Sequence, residues 1–127
     1  MTSRSIRVLA VEDDKFISRA YQAKFESEGF KVKFAHDGVE AIDLLKKYTP
    51  DVIILDILMP RSDGFSVLKK IQKNKKWADI PVIMATNLEG ENNILKARDL
   101  NVDEYVVKSR LSLKDLVNRI HEIKNEL

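Results

Sequence analysis

Val8-Leu9-Ala10-Val11-Glu12-Asp13-Asp14 decides how the chain is read. Consecutive apolar residues without polar alternation describe a strand buried on both faces, and acids follow it at once. A second such run, Val52-Ile53-Ile54-Leu55, ends in Asp56. If the two strands lie side by side and parallel, their acids meet at one edge of a sheet. Clustered carboxylates repel one another unless a cation or bound protons relieve them. The pattern therefore predicts a metal site with chemistry at it.

Working outward, apolar strand-like runs alternate with helix-like periodic segments, the signature of repeated βα units around a parallel sheet. The first strand is read as Ile6 to Val11. Ile17, Ala20, Tyr21 and Phe25 mark the first helix, which Gly29 stops. Phe30, Val32 and Phe34 alternate with Lys31, Lys33 and Ala35, and the lysines suggest an edge strand. Asp37-Gly38-Val39-Glu40 has capping-box form. Ala41, Leu44, Leu45 and Tyr48 form one stripe behind it, with Pro50 as the expected stop. The third strand is Val52 to Leu55. Val67, Leu68 and Ile71 mark the third helix. Ile80 to Ala85 is the fourth strand, with Pro81 tolerable near its start. A weak stripe over Glu91 to Leu100 is the fourth helix, Tyr105-Val106-Val107 the fifth strand. Ser112-Leu113-Lys114-Asp115 caps a last helix carrying Leu116, Val117, Ile120, Ile123 and Leu127.

The 127 residues suit one domain, and nothing over residues 1–127 reads as a second. A hydrophobic fraction of 44% supplies a real core. The absence of cysteine excludes disulfides and thiolate metal sites. No apolar run of about 18 residues is present to span a membrane. Arg7 interrupts the run that begins at Ile6, so no signal-peptide pattern opens the chain. A cytoplasmic protein without membrane association is the expectation, as a monomer or weak dimer. Net charge is +2, with lysines crowded at Lys69-Lys70 and Lys73-Asn74-Lys75-Lys76. Trp77 is single and follows the run, so these lysines are read as a solvated helix face and not as a nucleic-acid patch.

Five βα units can form a doubly wound, flavodoxin-like α/β sheet of strand order 2-1-3-4-5, with ligands beyond the carboxyl ends of strands one and three. Glu12 and Asp13 follow strand one; Asp56 follows strand three. Their hard oxygens suit Mg²⁺, which keeps several waters and commonly uses one or two carboxylates plus a phosphate. No histidine lies near in the motif, which argues against zinc. Thr86 follows strand four and Lys108 follows strand five. A hydroxyl can donate to a phosphoryl oxygen and an ammonium can pair with it. Together these residues make a phosphoryl-transfer site in which Asp56 attacks as a carboxylate and becomes an acyl phosphate.

Single residues have plainer readings. Asp14 caps the first helix; Asp63 before Gly64 is a turn or cap residue; Tyr105 is core or rim packing on composition alone; His36 and His121 are surface residues. Thr86-Asn87-Leu88-Glu89 also fits a capping box, and Lys108 alone fits a solvated loop. The combination resists such explanations.

The chain resembles the receiver domain of two-component response regulators, of the single-domain chemotaxis type, over nearly its whole length. The resemblance rests on Val11-Glu12-Asp13-Asp14, Asp56-Ile57-Leu58-Met59-Pro60-Arg61-Ser62-Asp63-Gly64, Pro81-Val82-Ile83-Met84-Ala85-Thr86 and Asp103-Glu104-Tyr105-Val106-Val107-Lys108. It implies that Asp56 accepts a phosphoryl group from a histidine kinase or histidine phosphotransfer protein. Asp13, Asp56 and the Leu58 backbone carbonyl would hold Mg²⁺, and Glu12 would act mostly through a bound water. Thr86 and Lys108 would contact the phosphoryl oxygens. Tyr105 would move inward with Thr86 and change the surface of the fourth helix, fifth strand and fifth helix, where a downstream protein would bind. Such a domain is no turnover enzyme; it catalyses only its own phosphoryl transfer and dephosphorylation.

Two positions depart from the family. Ser109 replaces the usual proline after the lysine, leaving either a trans bond with a different loop or a cis bond held under strain. Asn87 replaces a small residue beside Thr86. With Leu58 and Leu88 it predicts slow phosphoryl loss, since these side chains neither orient nor admit an attacking water well. A haloacid-dehalogenase-type hydrolase needs a second aspartate where Leu58 stands. A flavin binder would meet acids that repel its phosphate. The remaining alternative is a receiver-like interaction module that does not switch by phosphorylation.

Overall fold

A computed structural model of the chain describes residues 5–57, 63–86, 99, 102, 104–107 and 112–125, with Thr86 described by its backbone alone. β1 (Arg7–Val11), β2 (Lys31–Ala35), β3 (Val52–Leu55), β4 (Val82–Thr86) and β5 (Glu104–Val107) form one parallel sheet of order β2-β1-β3-β4-β5. This is the expected doubly wound α/β arrangement. Helices α1 (Lys15–Ser27), α2 (Gly38–Leu45), α3 (Gly64–Lys73) and a C-terminal helix (Leu113–Asn125) cover it. The expected helix over Glu91 to Leu100 lies outside the described residues.

Side chains alternate across a strand, so the unbroken apolar runs feed two cores. Leu9, Val11, Ile53, Leu55 and Met84 meet Ala41 and Leu45 of α2 and Phe65, Leu68 and Ile71 of α3. Val8, Ala10, Ile54, Ile83 and Ala85 meet Tyr21 and Phe25 of α1 and Leu116, Val117 and Ile120 of the C-terminal helix. β2 is the expected edge, with Lys31 and Lys33 exposed. Pro81 lies just before β4, where its carbonyl still accepts from the Ile53 amide at 2.9 Å.

The helix ends follow local chemistry. Gly29, at φ +82°, closes α1 with Gly29 N donating to Glu26 O and Phe30 N to Phe25 O. This pair of bonds is a Schellman motif, with the Phe25–Phe30 ring contact as its apolar clasp. Asp14, Asp37 and Asp63 accept from the first-turn amides of α1, α2 and α3. Ser112 and Asp115 cap reciprocally: Ser112 Oγ accepts from the Asp115 amide, and the Asp115 carboxylate from the Ser112 amide.

Two expectations need correction. α2 stops at Leu45, before Pro50, and Tyr48 does not continue its stripe. Lys47 N turns to Leu44 O as the last turn tightens, because the chain must leave the helix to enter β3. The Tyr48 ring instead sits beneath Lys33 Nζ at 4.6 Å and Arg7 Cζ at 5.8 Å. His121, expected at the surface, is only partly exposed, its ring edge-on to Phe30 at 5.1 Å. His36 is exposed as expected. Among the described residues, no helix is long and apolar enough to cross a membrane.

Where the strands begin, Asp51 is nearly sealed from water. It accepts from the Arg7 amide at 2.8 Å and from Lys124 Nζ at 3.1 Å, tying β1 and the far end of the C-terminal helix to the entry of β3. Asp51→Ala strands a buried amide and should cost roughly 2 kcal/mol. A fall in melting temperature of about 8 °C is expected; Lys124→Gln, which alters a half-exposed group, should cost less than half of that. Thermal denaturation followed by circular dichroism checks both.

Candidate metal and phosphoryl site

The site is a product of strand register. Val11 of β1 pairs with Leu55 of β3, so Glu12 and Asp56 leave the sheet at the same level. Both stay tied to it by backbone bonds, Glu12 N to Ala35 O at 2.9 Å and Asp56 N to Val11 O at 3.2 Å. Glu12, Asp13 and Asp56 each present a carboxylate oxygen, all within 4.8 Å of one another. Glu12 is 2% exposed and Asp56 7%, whereas Asp13 is open to solvent. Buried carboxylates this close are costly as anions without a countercharge. An all-oxygen set with one solvent-facing member fits a hard divalent cation that keeps part of its water.

Each acid reaches this place for a local reason. Asp14 turns away, because its side chain accepts from the Phe16 amide at 2.8 Å and the Ile17 amide at 3.2 Å. It serves as the helix cap, while Asp13 is left at the cluster. Asp63 likewise caps α3, accepting from the Phe65 amide at 2.9 Å.

Gly64 has a role that turn chemistry alone does not suggest. A Cβ on Gly64 would lie inside contact distance of the Asp56 carbonyl oxygen and 2.7 Å from Ile57 Cα. Its amide donates to Ile57 O at 2.8 Å. The start of α3 is thus pressed against the backbone that carries Asp56, and only a residue without a side chain fits. The sequence signal was the bare Gly after Asp63, which reads equally well as an ordinary turn.

Two phenols feel the charge of the acids. Tyr105 lies in β5 opposite Met84 and is half-buried; burial first and the Asp56 charge second push its pKa above the ordinary 10.0. Tyr21, on α1, is 4% exposed. Burial, then Glu12, then Asp56 raise its pKa well above the usual range. Tyr21 was legible only as one member of an apolar helical stripe. Its hydroxyl, where Phe would have served packing alone, was the available clue.

The register also places the backbone of Thr86 opposite Val107, at the edge where the acids emerge. The Thr86 side chain, the Leu58 carbonyl, Asn87, Leu88, Lys108 and Ser109 lie outside the described residues.

Known proteins share this architecture. The chain is 30% identical to the response regulator MprA of Mycobacterium bovis over 119 residues, covering 94% of this chain and 50% of that protein. It therefore spans about half the length of that curated relative. The solved structure of the phosphorylated cyanobacterial phytochrome response regulator RcpA matches with a TM-score of 0.82 at 28% identity, covering 96% of this chain and 93% of that one. The Mn²⁺-bound form of the response regulator Rcp1 matches with a TM-score of 0.78 at 30% identity, covering 94% and 92%. Residues 8–121 match the family model described as the response regulator receiver domain, and with that strand order and that acidic edge the chain belongs to the response regulator receiver family.

Proposed function

We propose that the chain is a phosphoacceptor receiver that takes a phosphoryl group onto Asp56 and passes the signal on by a change of surface. The observation that carries this reading is the meeting of Glu12, Asp13 and Asp56 oxygens within 4.8 Å at one sheet edge. The donor is a phosphohistidine on a histidine kinase or phosphotransfer protein. An Asp56 carboxylate oxygen bonds to phosphorus as the phosphorus–nitrogen bond breaks, and the departing imidazole takes up a proton. Asp13, Asp56 and the Leu58 carbonyl would hold Mg²⁺, with Glu12 reaching it through water. Bound there, the ion neutralises charge on the transferring group. The metal-bound and phosphorylated receivers of the same fold support these assignments.

Thr86 and Lys108 are assigned to the phosphoryl oxygens by their positions at the ends of β4 and after β5. Tyr105, held near the Asp56 charge, is assigned to the switch, which changes the face that a downstream protein reads. A receiver state in which Thr86 has moved toward the phosphoryl group binds that group better and gains population when Asp56 is modified.

Incubation with Mg²⁺ and a small phosphodonor should add one phosphoryl mass to the intact protein. Asp56→Asn or excess chelator should abolish the addition; equal labelling of the Asn variant overturns the assignment. Gly64→Ala should push the Asp56 backbone out of register. A stability loss of about 1–3 kcal/mol and roughly tenfold slower labelling are expected, by denaturant titration and by mass against time. The phosphoryl group should decay slowly because of Asn87, Leu58 and Leu88. A decay course at neutral pH checks this, and loss within seconds contradicts it.

A further inference from the structure

Helices in a βα unit run against the strands, so the C-terminal ends of α2 and α3 lie at the opposite edge from the acids. Between them is an open surface pocket of about 540 Å³. Lys46, Lys73, Lys75 and Lys76 line it together with Asn74 and Trp77, and no carboxylate does. Lys46 has an exposed partner in Asp43 at 3.6 Å. Lys73, Lys75 and Lys76 are exposed and make no ion pair among the described residues.

Helix polarity explains part of this. Cations at the last turn complement the partial negative charge of a helix end, which accounts for Lys46 and Lys73. It does not account for Lys75 and Lys76, which lie past the end of α3. The turn that carries them is hydrogen-bonded: Asn74 Oδ1 accepts from the Lys76 amide at 2.8 Å, and Asn74 O from the Trp77 and Ala78 amides at 3.0 and 2.8 Å. The backbone that carries Lys75, Lys76 and Trp77 is therefore a preformed turn. Trp77 is half-buried, its inner side packed on the core beneath α2 and α3.

We propose that this pocket is a second ligand site, for a nucleoside polyphosphate. Its volume lies within the range of small-molecule pockets. Ammonium groups are compact point charges suited to a polyphosphate chain. The outward part of the indole supplies a surface on which a base stacks. An acidic peptide satisfies the charge but leaves the aromatic wall unused. The site is distant from Asp56 and does not depend on the phosphoacceptor reading.

Trp77 is the single tryptophan, so its emission reports on this pocket alone. Titration of the full chain with ATP and GTP, in chelator to keep metal from the acidic edge, should quench it saturably with a Kd of roughly 0.1 mM. Inorganic tripolyphosphate should compete with the nucleotide while quenching little. Lys75→Gln with Lys76→Gln, both exposed, should weaken binding about tenfold. Asp56→Asn should bind nucleotide as the wild type does, which separates this test from that of the phosphoryl site. Calorimetry on the same samples detects binding that leaves the indole untouched. The proposal fails if no saturation occurs below about 5 mM, if the double variant binds equally well, if heat appears without a change in emission, or if an oligoglutamate peptide binds in preference to nucleotide.

Discussion

The pairing of β1 with β3 is the interaction on which the rest of the molecule depends. Val8 to Val11 lie level with Val52 to Leu55, and both strands are covered on each face. A slip of one residue would turn every apolar side chain to the wrong layer. The two cores therefore lock the register, and the register makes Glu12 and Asp56 neighbours. Burial energy from the strands offsets the repulsion of acids at their ends. The acidic edge is thus held in place by the buried strands behind it.

Much of this was legible before any coordinates. Apolar runs bounded by polar turns described the strands, and lysines along Lys31 to Lys33 marked the edge. The acids were placed by topology alone. What escaped the sequence was anything set by contacts between segments far apart in the chain. Tyr48 looked helical because its spacing from Leu44 and Leu45 was right, yet cations from β1 and β2 claim its ring. His121 looked exposed because nothing in its own helix shows that Phe30 stands beside it. Gly64 looked like a turn residue because its constraint comes from the backbone at Asp56 and Ile57.

The same limit applies to the phenol at Tyr21. Helical periodicity assigns it correctly to the buried face of α1, where it stacks on Phe25 at 5.3 Å. Periodicity is silent on the hydroxyl, which feels the charges of Glu12 and Asp56 from distant parts of the chain. Charge shows a related asymmetry. A net charge of +2 hides a molecule with anionic groups gathered where the strands end and cations gathered where α2 and α3 end. The total alone says little about either edge.

The bond between Asp51 and Lys124 fixes one extremity of the C-terminal helix to the strand entrances. The opposite extremity, at Ser112, is capped within its own first turn and faces the acidic edge. A rod tethered at its tail cannot slide along the sheet without breaking that tether. The anchored end and the capped end are thus held by different means, one by a partner distant in the chain and the other by close neighbours.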